Sequence, residues 1–259
     1  MGTVTKALSL LRQFNRASAA IGLSELARRS GMNKATVYRL MSDMTAAGLV
    51  EQAADGRAYR LGPEVLRLAA IREATTPFLS IARDVLRELS AATGETAHVS
   101  VLEGTRLTAL DFHYSDRYAT RVMMENESDL AIHATGSGLA VMAFSPPALS
   151  DAVLSAPLAR FTPLTETYPA QIRAQLVQIH SQGYAESVGG YEADVHSHAA
   201  PIFGPDQRPC GAIAVAAPAS RMDNAARAAI RREITAAAVE MTRRTGGFCP
   251  PAYPITAAA

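Results

Sequence analysis

Three groups of residues in this 259-residue chain have types and spacings that could do chemistry. The first is Lys34-Ala35-Thr36-Val37-Tyr38-Arg39. At the start of a helix lying in a DNA major groove, Arg39 could grip a guanine edge with two hydrogen bonds. Thr36 could donate to a phosphate or touch a thymine methyl, and Lys34 could neutralise a phosphate. Tyr38 stays open between core and contact. The second group is His133-Ala134-Thr135-Gly136-Ser137-Gly138, small residues ahead of an apolar run. A helix starting there presents backbone N–H groups without bulky side chains in front, which suits a carboxylate or other anion. Equally, the glycines could serve only a tight, close-packed strand-to-helix turn. The third group is the histidines His98, His113, His133, His196 and His198. In a strand His196 and His198 share a face, so with Asp111, Asp194 or Glu192 they could hold a metal. Alternating histidines on one strand are more often hydrogen-bonded pocket or surface residues, neutral imidazole needing no metal, and neither a metal nor a cofactor is assigned. Tyr114, Tyr118 and Arg121 could cover an acidic ligand or sit in an exposed loop.

The elements that must carry these residues follow from apolar spacing. Val4, Ala7, Leu8, Leu10, Leu11 and Phe14 predict a first helix. Ser24 reads as the N-cap of a second, from about 24 to 30, and Asn33 as the cap of a third that ends at Gly48. Two helices around Gly31 make a helix-turn-helix. Asp55-Gly56 between Leu49–Gln52 and Tyr59–Leu61 predicts a hairpin wing, with Arg57 and Arg60 within reach of phosphate or the minor groove. The bland reading is a helical subdomain with a solvated basic face. Pro63 starts a linker helix that Thr75-Thr76-Pro77 stops, and its Leu66, Ala69 and Ala70 could face a second copy. Beyond it, an amphipathic helix over 78–92 precedes strands at 96–102 and 107–112, with later strands at 199–203 and 210–216. Helices at about 137–144, 146–155, 168–182 and 223–244 complete an α+β body. The expected domains are 1–62, 63–76 and 77–247, with 248–259 a disordered tail.

Charge supports this division. Lys+Arg 25 against Asp+Glu 24 gives a net of only +1, but residues 1–75 hold eleven basic and six acidic side chains, leaving the body at −4. There is no apolar run long enough to span a membrane and no signal-peptide core, so a cytoplasmic protein without membrane association is expected. Cys210 and Cys249 have no disulfide or metal-ligand spacing. Without a nucleophile elbow, phosphate loop or His-Glu-x-x-His motif, no enzyme is predicted. The alternative is an enzyme with an appended DNA-binding head, using the histidine cluster with or without a metal.

Leu23-Ser24-Glu25-Leu26-Ala27, Asn33 to Leu40, Gly48-Leu49-Val50 and Tyr59-Arg60-Leu61-Gly62 together resemble the winged helix of IclR-type transcriptional regulators, and the likeness runs to about Gly247. It implies a winged helix-turn-helix with Ser24, Lys34, Thr36, Tyr38, Arg39, Arg57 and Arg60 towards double-stranded operator DNA. A linker helix and a C-terminal GAF-like effector-binding domain would follow, assembled as a dimer or dimer of dimers. The His133–Gly138 stretch resembles the family's segment beside the effector, with Leu139 in place of a usual lysine. The same alignment puts Ser187, Ser197, Ala214 and Ala216 towards the effector, with His133, Thr135, Gly136, Ser137 and His196. Gly189-Gly190 stand where paired glutamates are usual, and Asp194 where a glycine is. With two of the four positions alanine, an effector less polar than a small oxo-acid is expected. The reading is a ligand-responsive regulator, a repressor rather than an activator, sensing a carboxylic or aromatic metabolite of a catabolic pathway.

Overall fold

The computed structural model describes residues 2–14, 18–53, 56, 58–75, 78–124 and 128–254, and the chain divides into two compact units, Met1–Thr76 and Pro77–Ala259. Asp55 and Arg57, central to the expected wing turn, lie outside the described residues.

In the first unit, α1 (Thr3–Leu11), α2 (Leu23–Ser30) and α3 (Lys34–Ala46) pack their apolar stripes together. Leu10, Leu26, Val37, Leu40, Met41 and Met44 meet Val50 and Tyr59 of the wing in one core. Gly31 ends α2 at φ 66, a left-handed cap that favours glycine. Strands β1 (Ile21–Gly22), β2 (Val50–Gln52) and β3 (Ala58–Leu61) form a small antiparallel sheet with β3 in the middle, and α4 (Pro63–Thr75) follows. Ser24 is not the cap of α2. Gly22 is extended and paired to Ala58, so the chain passes from β1 straight into the helix, with Gly22 at the N-cap and no side-chain cap bond.

The second unit is built on a six-stranded antiparallel sheet. After α5 (Phe78–Thr93) come β4 (Thr96–Glu103), β5 (Arg106–His113), β6 (Asp129–Leu130), α6 (Gly136–Phe144), α7 (Pro147–Leu154) and α8 (Pro169–Gln182). Strands β7 (Ala185–Val188), β8 (Val195–Phe203) and β9 (Pro209–Pro218) and helix α9 (Asn224–Arg244) complete it, with strand order β6-β5-β4-β9-β8-β7. Side chains alternate across each strand. Ala97, Val99, Ala200, Ile202, Ile213 and Val215 face α5 and α9, where they meet Leu86, Ile230 and Ile234. Ala199, Ala212 and Ala214 face the other way, against Leu139, Ala140 and Met142 of α6. This is the expected α+β body, helices on both faces of one sheet.

The tail departs from expectation. Tyr253 is buried, donates from its hydroxyl to Gly183 O at 2.9 Å, and sets its ring against Phe144 and Phe203. An alanine- and proline-rich composition predicted disorder, but one aromatic anchor with a backbone acceptor holds 248–254 in place. Residues 255–259 lie outside the described residues.

Candidate nucleic-acid interface and ligand pocket

Helix α3 presents the candidate DNA face. The Asn33 side chain accepts from Thr36 N at 2.8 Å, fixing the first turn. Because Val37, Leu40, Met41 and Met44 point into the core, Lys34, Tyr38 and Arg39 are forced outward. Tyr38 is 58% exposed, which removes its core reading, while Thr36 is half-buried. Among the described residues no hydrogen bond or ion pair engages Lys34 or Arg39, so both cations are available to an anion. Arg60 is held differently: its Nε donates to Glu51 Oε1 at 2.6 Å across β2 and β3. Ser24 is exposed on α2. Nearby, Glu25 accepts from Arg28 and Arg29, which pull its carboxyl down to about 2.

In the second unit, the α6 start and the strands beneath it enclose a cavity of about 320 Å³. Thr135, Gly136, Ser137, Ser187, Ser197 and Ala216, all predicted, line it. Thr135 caps α6 by accepting from Gly138 N at 3.2 Å, and Ser197 Oγ accepts from Gly136 N at 3.3 Å. The packing reading of the glycines is met at Gly138. A Cβ on Gly138 would lie 2.1 Å from Ile132 O, so close packing demands glycine there, while Gly136 lines the cavity. A Cβ on Gly190 would lie 2.6 Å from Ser187 Oγ, which accounts for glycine where the resemblance expects glutamate.

Three predicted residues are elsewhere. His196 is on the opposite face of the sheet, because it alternates with Ser197 and Ser197 faces α6. His133 turns its Nε2 to Ala159 O at 2.9 Å and lines a second cavity, of about 570 Å³, beside β7, α8 and α9. Ala214 is fully buried beneath α6 between its strand partners His98 and Ala199. Leu139, at the lysine position, is likewise core.

One unassigned residue matters more. His98 of β4 lines the cavity with its Nε2 3.3 Å from Ser137 Oγ, and burial lowers its pKa from 6.5 to about 4, so the ring is neutral near pH 7. The signal was alternation: Thr96, His98 and Ser100 share the α6 face. Val122, Met123 and Met124 supply apolar walls. Tyr114 braces that segment by accepting from Met124 N at 3.0 Å while Arg121 stacks on its ring. Tyr118 lies under Arg221, which pairs with Glu95. None of Tyr114, Tyr118 and Arg121 is among the residues lining the cavity.

The remaining histidine, His198, pairs with His196 in parallel stacking, 4.8 Å between ring centroids, but their acidic neighbour is Glu186. Asp111, one of the expected third ligands, pairs with Arg83 instead, and Glu192 lines the other cavity.

The comparisons agree with this architecture. The family model described as the bacterial transcriptional regulator IclR C-terminal domain matches residues 74–243, and the IclR helix-turn-helix domain matches residues 3–54. The chain is 31% identical to the HTH-type transcriptional regulator BhcR of Paracoccus denitrificans over 87% of its own length and 81% of that protein's. It is 25% identical to the transcriptional repressor IclR of Escherichia coli over 95% and 90% of the two chains. A structure from Silicibacter sp. TM1040, named as an IclR transcriptional regulator, superposes with a TM-score of 0.94 at 57% identity, covering 98% and 100%. An IclR homolog from Microbacterium hydrocarbonoxydans, complexed with 4-hydroxybenzoate, superposes at 0.77 with 24% identity, covering 93% and 98%. The homologues are named as regulators, which removes the reading of an enzyme with a DNA-binding head. A helix-turn-helix unit with an outward basic helix thus precedes an effector-binding unit with a lined cavity, and the chain belongs to the IclR family of DNA-binding transcriptional regulators.

Proposed function

We propose that this regulator is a repressor whose hold on its operator changes when a small, largely apolar carboxylic or aromatic metabolite enters the 320 Å³ cavity. The observation that carries the reading is the lining itself: a volume at the small end of ligand sites, apolar walls from Val122, Met123, Met124, Leu130 and Ala216, and a polar end where α6 begins. At that end Ser137, Ser197 and neutral His98 offer hydrogen bonds, and the N-terminus of α6 favours a carboxylate without needing the missing lysine. The aromatic acid bound by the Microbacterium homolog is consistent with this ligand class.

On the DNA side, Arg39 reads a base while Lys34 and Thr36 take phosphates, with Tyr38 beside them. Ser24, Arg57 and Arg60 are further contacts implied by the family likeness. Two copies join through α4, where Leu66, Ala69 and Ala70 are exposed in the single chain, and present two such helices to a two-fold operator. The ligand acts only through unequal affinity for the DNA-binding and released arrangements.

Thermal denaturation across a panel of benzoates and short aliphatic acids, paired with release of a labelled operator fragment, tests the proposal. Saturable stabilisation, release from DNA by the same compound and loss of both in Ser137→Leu are expected. No stabilisation by any acid, or an undiminished response in Ser137→Leu, overturns it.

A further inference from the structure

On the face of the sheet away from the ligand cavity, three side chains converge that the regulator's reading leaves without a role. Strand pairing sets Glu186 opposite His198 and Val188 opposite His196, so both imidazoles stand on one face beside the Glu186 carboxylate. His196 Nε2 lies 3.4 Å from Oε2, and His198 Nε2 lies 3.4 Å from Oε1. Both nitrogens are buried without a hydrogen-bond partner among the described residues. Orphaned buried nitrogens cost free energy and call for a physical reason, an unseen ion being one.

The spacing supplies it. Ligands about 2.0–2.1 Å from a tetrahedral ion stand about 3.3–3.4 Å from one another; each imidazole is that far from its nearer carboxylate oxygen, and one donor atom from each of the three residues lies within 4.8 Å of the others. We propose that Glu186, His196 and His198 bind one divalent transition-metal ion of the zinc class. Two imidazoles select such an ion over calcium or magnesium, which prefer all-oxygen sites. Glu186 also lines the 570 Å³ cavity beside β7, α8 and α9, which gives an entry path and room for water or another ligand in the fourth position.

The groups facing the site from α9 are Arg227 and Arg231, both hydrogen-bonded to Glu186, the latter at 2.6 Å. They hold the carboxylate towards the histidines, as outer-shell partners do. Their positive charge also opposes the cation, and since each guanidinium takes a lone pair of a different carboxylate oxygen, the lone pairs left over are the ones that ligate. Burial lowers the proton affinity of His198, the direction that favours a ring free to ligate.

The full-length protein, stripped with a chelator, is titrated with Zn²⁺ by calorimetry, and with Co²⁺ to read tetrahedral ligation from visible absorption. One ion per chain, a raised Tm and a tetrahedral Co²⁺ spectrum are expected. His198→Gln and Glu186→Gln, each checked for folding by circular dichroism, should weaken binding about tenfold or more. His113→Gln, an exposed histidine of β5, should leave it unchanged. Should His198→Gln fail to fold, Glu186→Gln decides. No saturable binding to wild type, or equal binding to wild type and the folded variants, overturns the proposal.

Discussion

Glu186 and Ser187 are chain neighbours that serve opposite faces of one sheet, and the same holds for His196, Ser197 and His198. The two-residue period was legible in the sequence; which face held the cavity was not, because that depends on whether α6 or α9 covers it, and both are distant in the chain. Grouping His196 with Ser197 therefore failed, whereas placing His196 and His198 on one face held. His98 shows what a buried site residue does to stability. Burial lowers its pKa from 6.5 to about 4, so as pH falls the unfolded chain takes up the proton first. The stability lent by the neutral ring is full above about pH 6.5 and is lost between there and about pH 4, to a limit of about 3 kcal/mol. Urea denaturation at a series of pH values should show His98→Gln with a flatter acid limb, the residual slope including the share of His198, whose pKa is also lowered by burial; an identical slope would exclude His98. At the DNA face, Arg39→Ala should cost about 1–3 kcal/mol on operator DNA and relax specificity. Equal losses on operator and random duplexes would remove Arg39 from base readout.

Long elements with a strong period were readable, and short ones only where a turn or cap marked them, as Asp55-Gly56 marks β2 and β3. The first helix of the second unit, α6, α8, α9 and the four long strands begin and end within a few residues of their expected positions, because each carries several turns or alternations of apolar pattern. Strands β1, β6 and β7 are two to four residues long and have no period to read; β1 displaced Ser24 from its cap, and β7 carries Glu186. A cap that was legible gives a test: Asn33→Ala should destabilise the first unit by about 1 kcal/mol through loss of the bond to Thr36 N, and weaken operator binding by loosening the start of α3. Denaturant midpoints of the isolated effects on each unit, followed by separate probes, would check it. Helix α4 has little side to bury in a single chain, with Leu66 at 74% exposure. If α4 joins two copies, Leu66→Glu should halve the mass measured by light scattering and weaken operator binding with it. An unchanged mass would place the seam elsewhere.

At the scale of the molecule, the net of +1 conceals +5 in residues 1–75 and −4 in the remainder, a division that only a regional count reveals. Ion pairing narrows the basic head further. Arg28 and Arg29 are committed to Glu25, Arg60 to Glu51 and Arg67 to Glu64, whereas Lys34 and Arg39 stand free among the described residues. Counterion release makes this measurable, because log K falls with log salt at about −0.9 per neutralised phosphate. If two protomers contribute only Lys34 and Arg39, the slope is about −3.6, shallow for a DNA-binding protein. Exposed ion pairs are worth little, up to about 1 kcal/mol, so a phosphate can compete for Arg60 once Glu51 no longer holds it. Glu51→Gln should therefore raise affinity for random and operator duplexes alike and steepen the slope by about −1.8 for a dimer, read by fluorescence anisotropy across a salt series. An unchanged slope in Glu51→Gln would mean that Arg60 already lies on phosphate in the complex, or never reaches it. Arg60→Ala separates these, since only in the first case does it shallow the wild-type slope. A steeper slope, by contrast, means that the wing's contribution is set by an acidic partner one strand away, and that the balance of the whole head depends on which of its arginines DNA can win from their carboxylates.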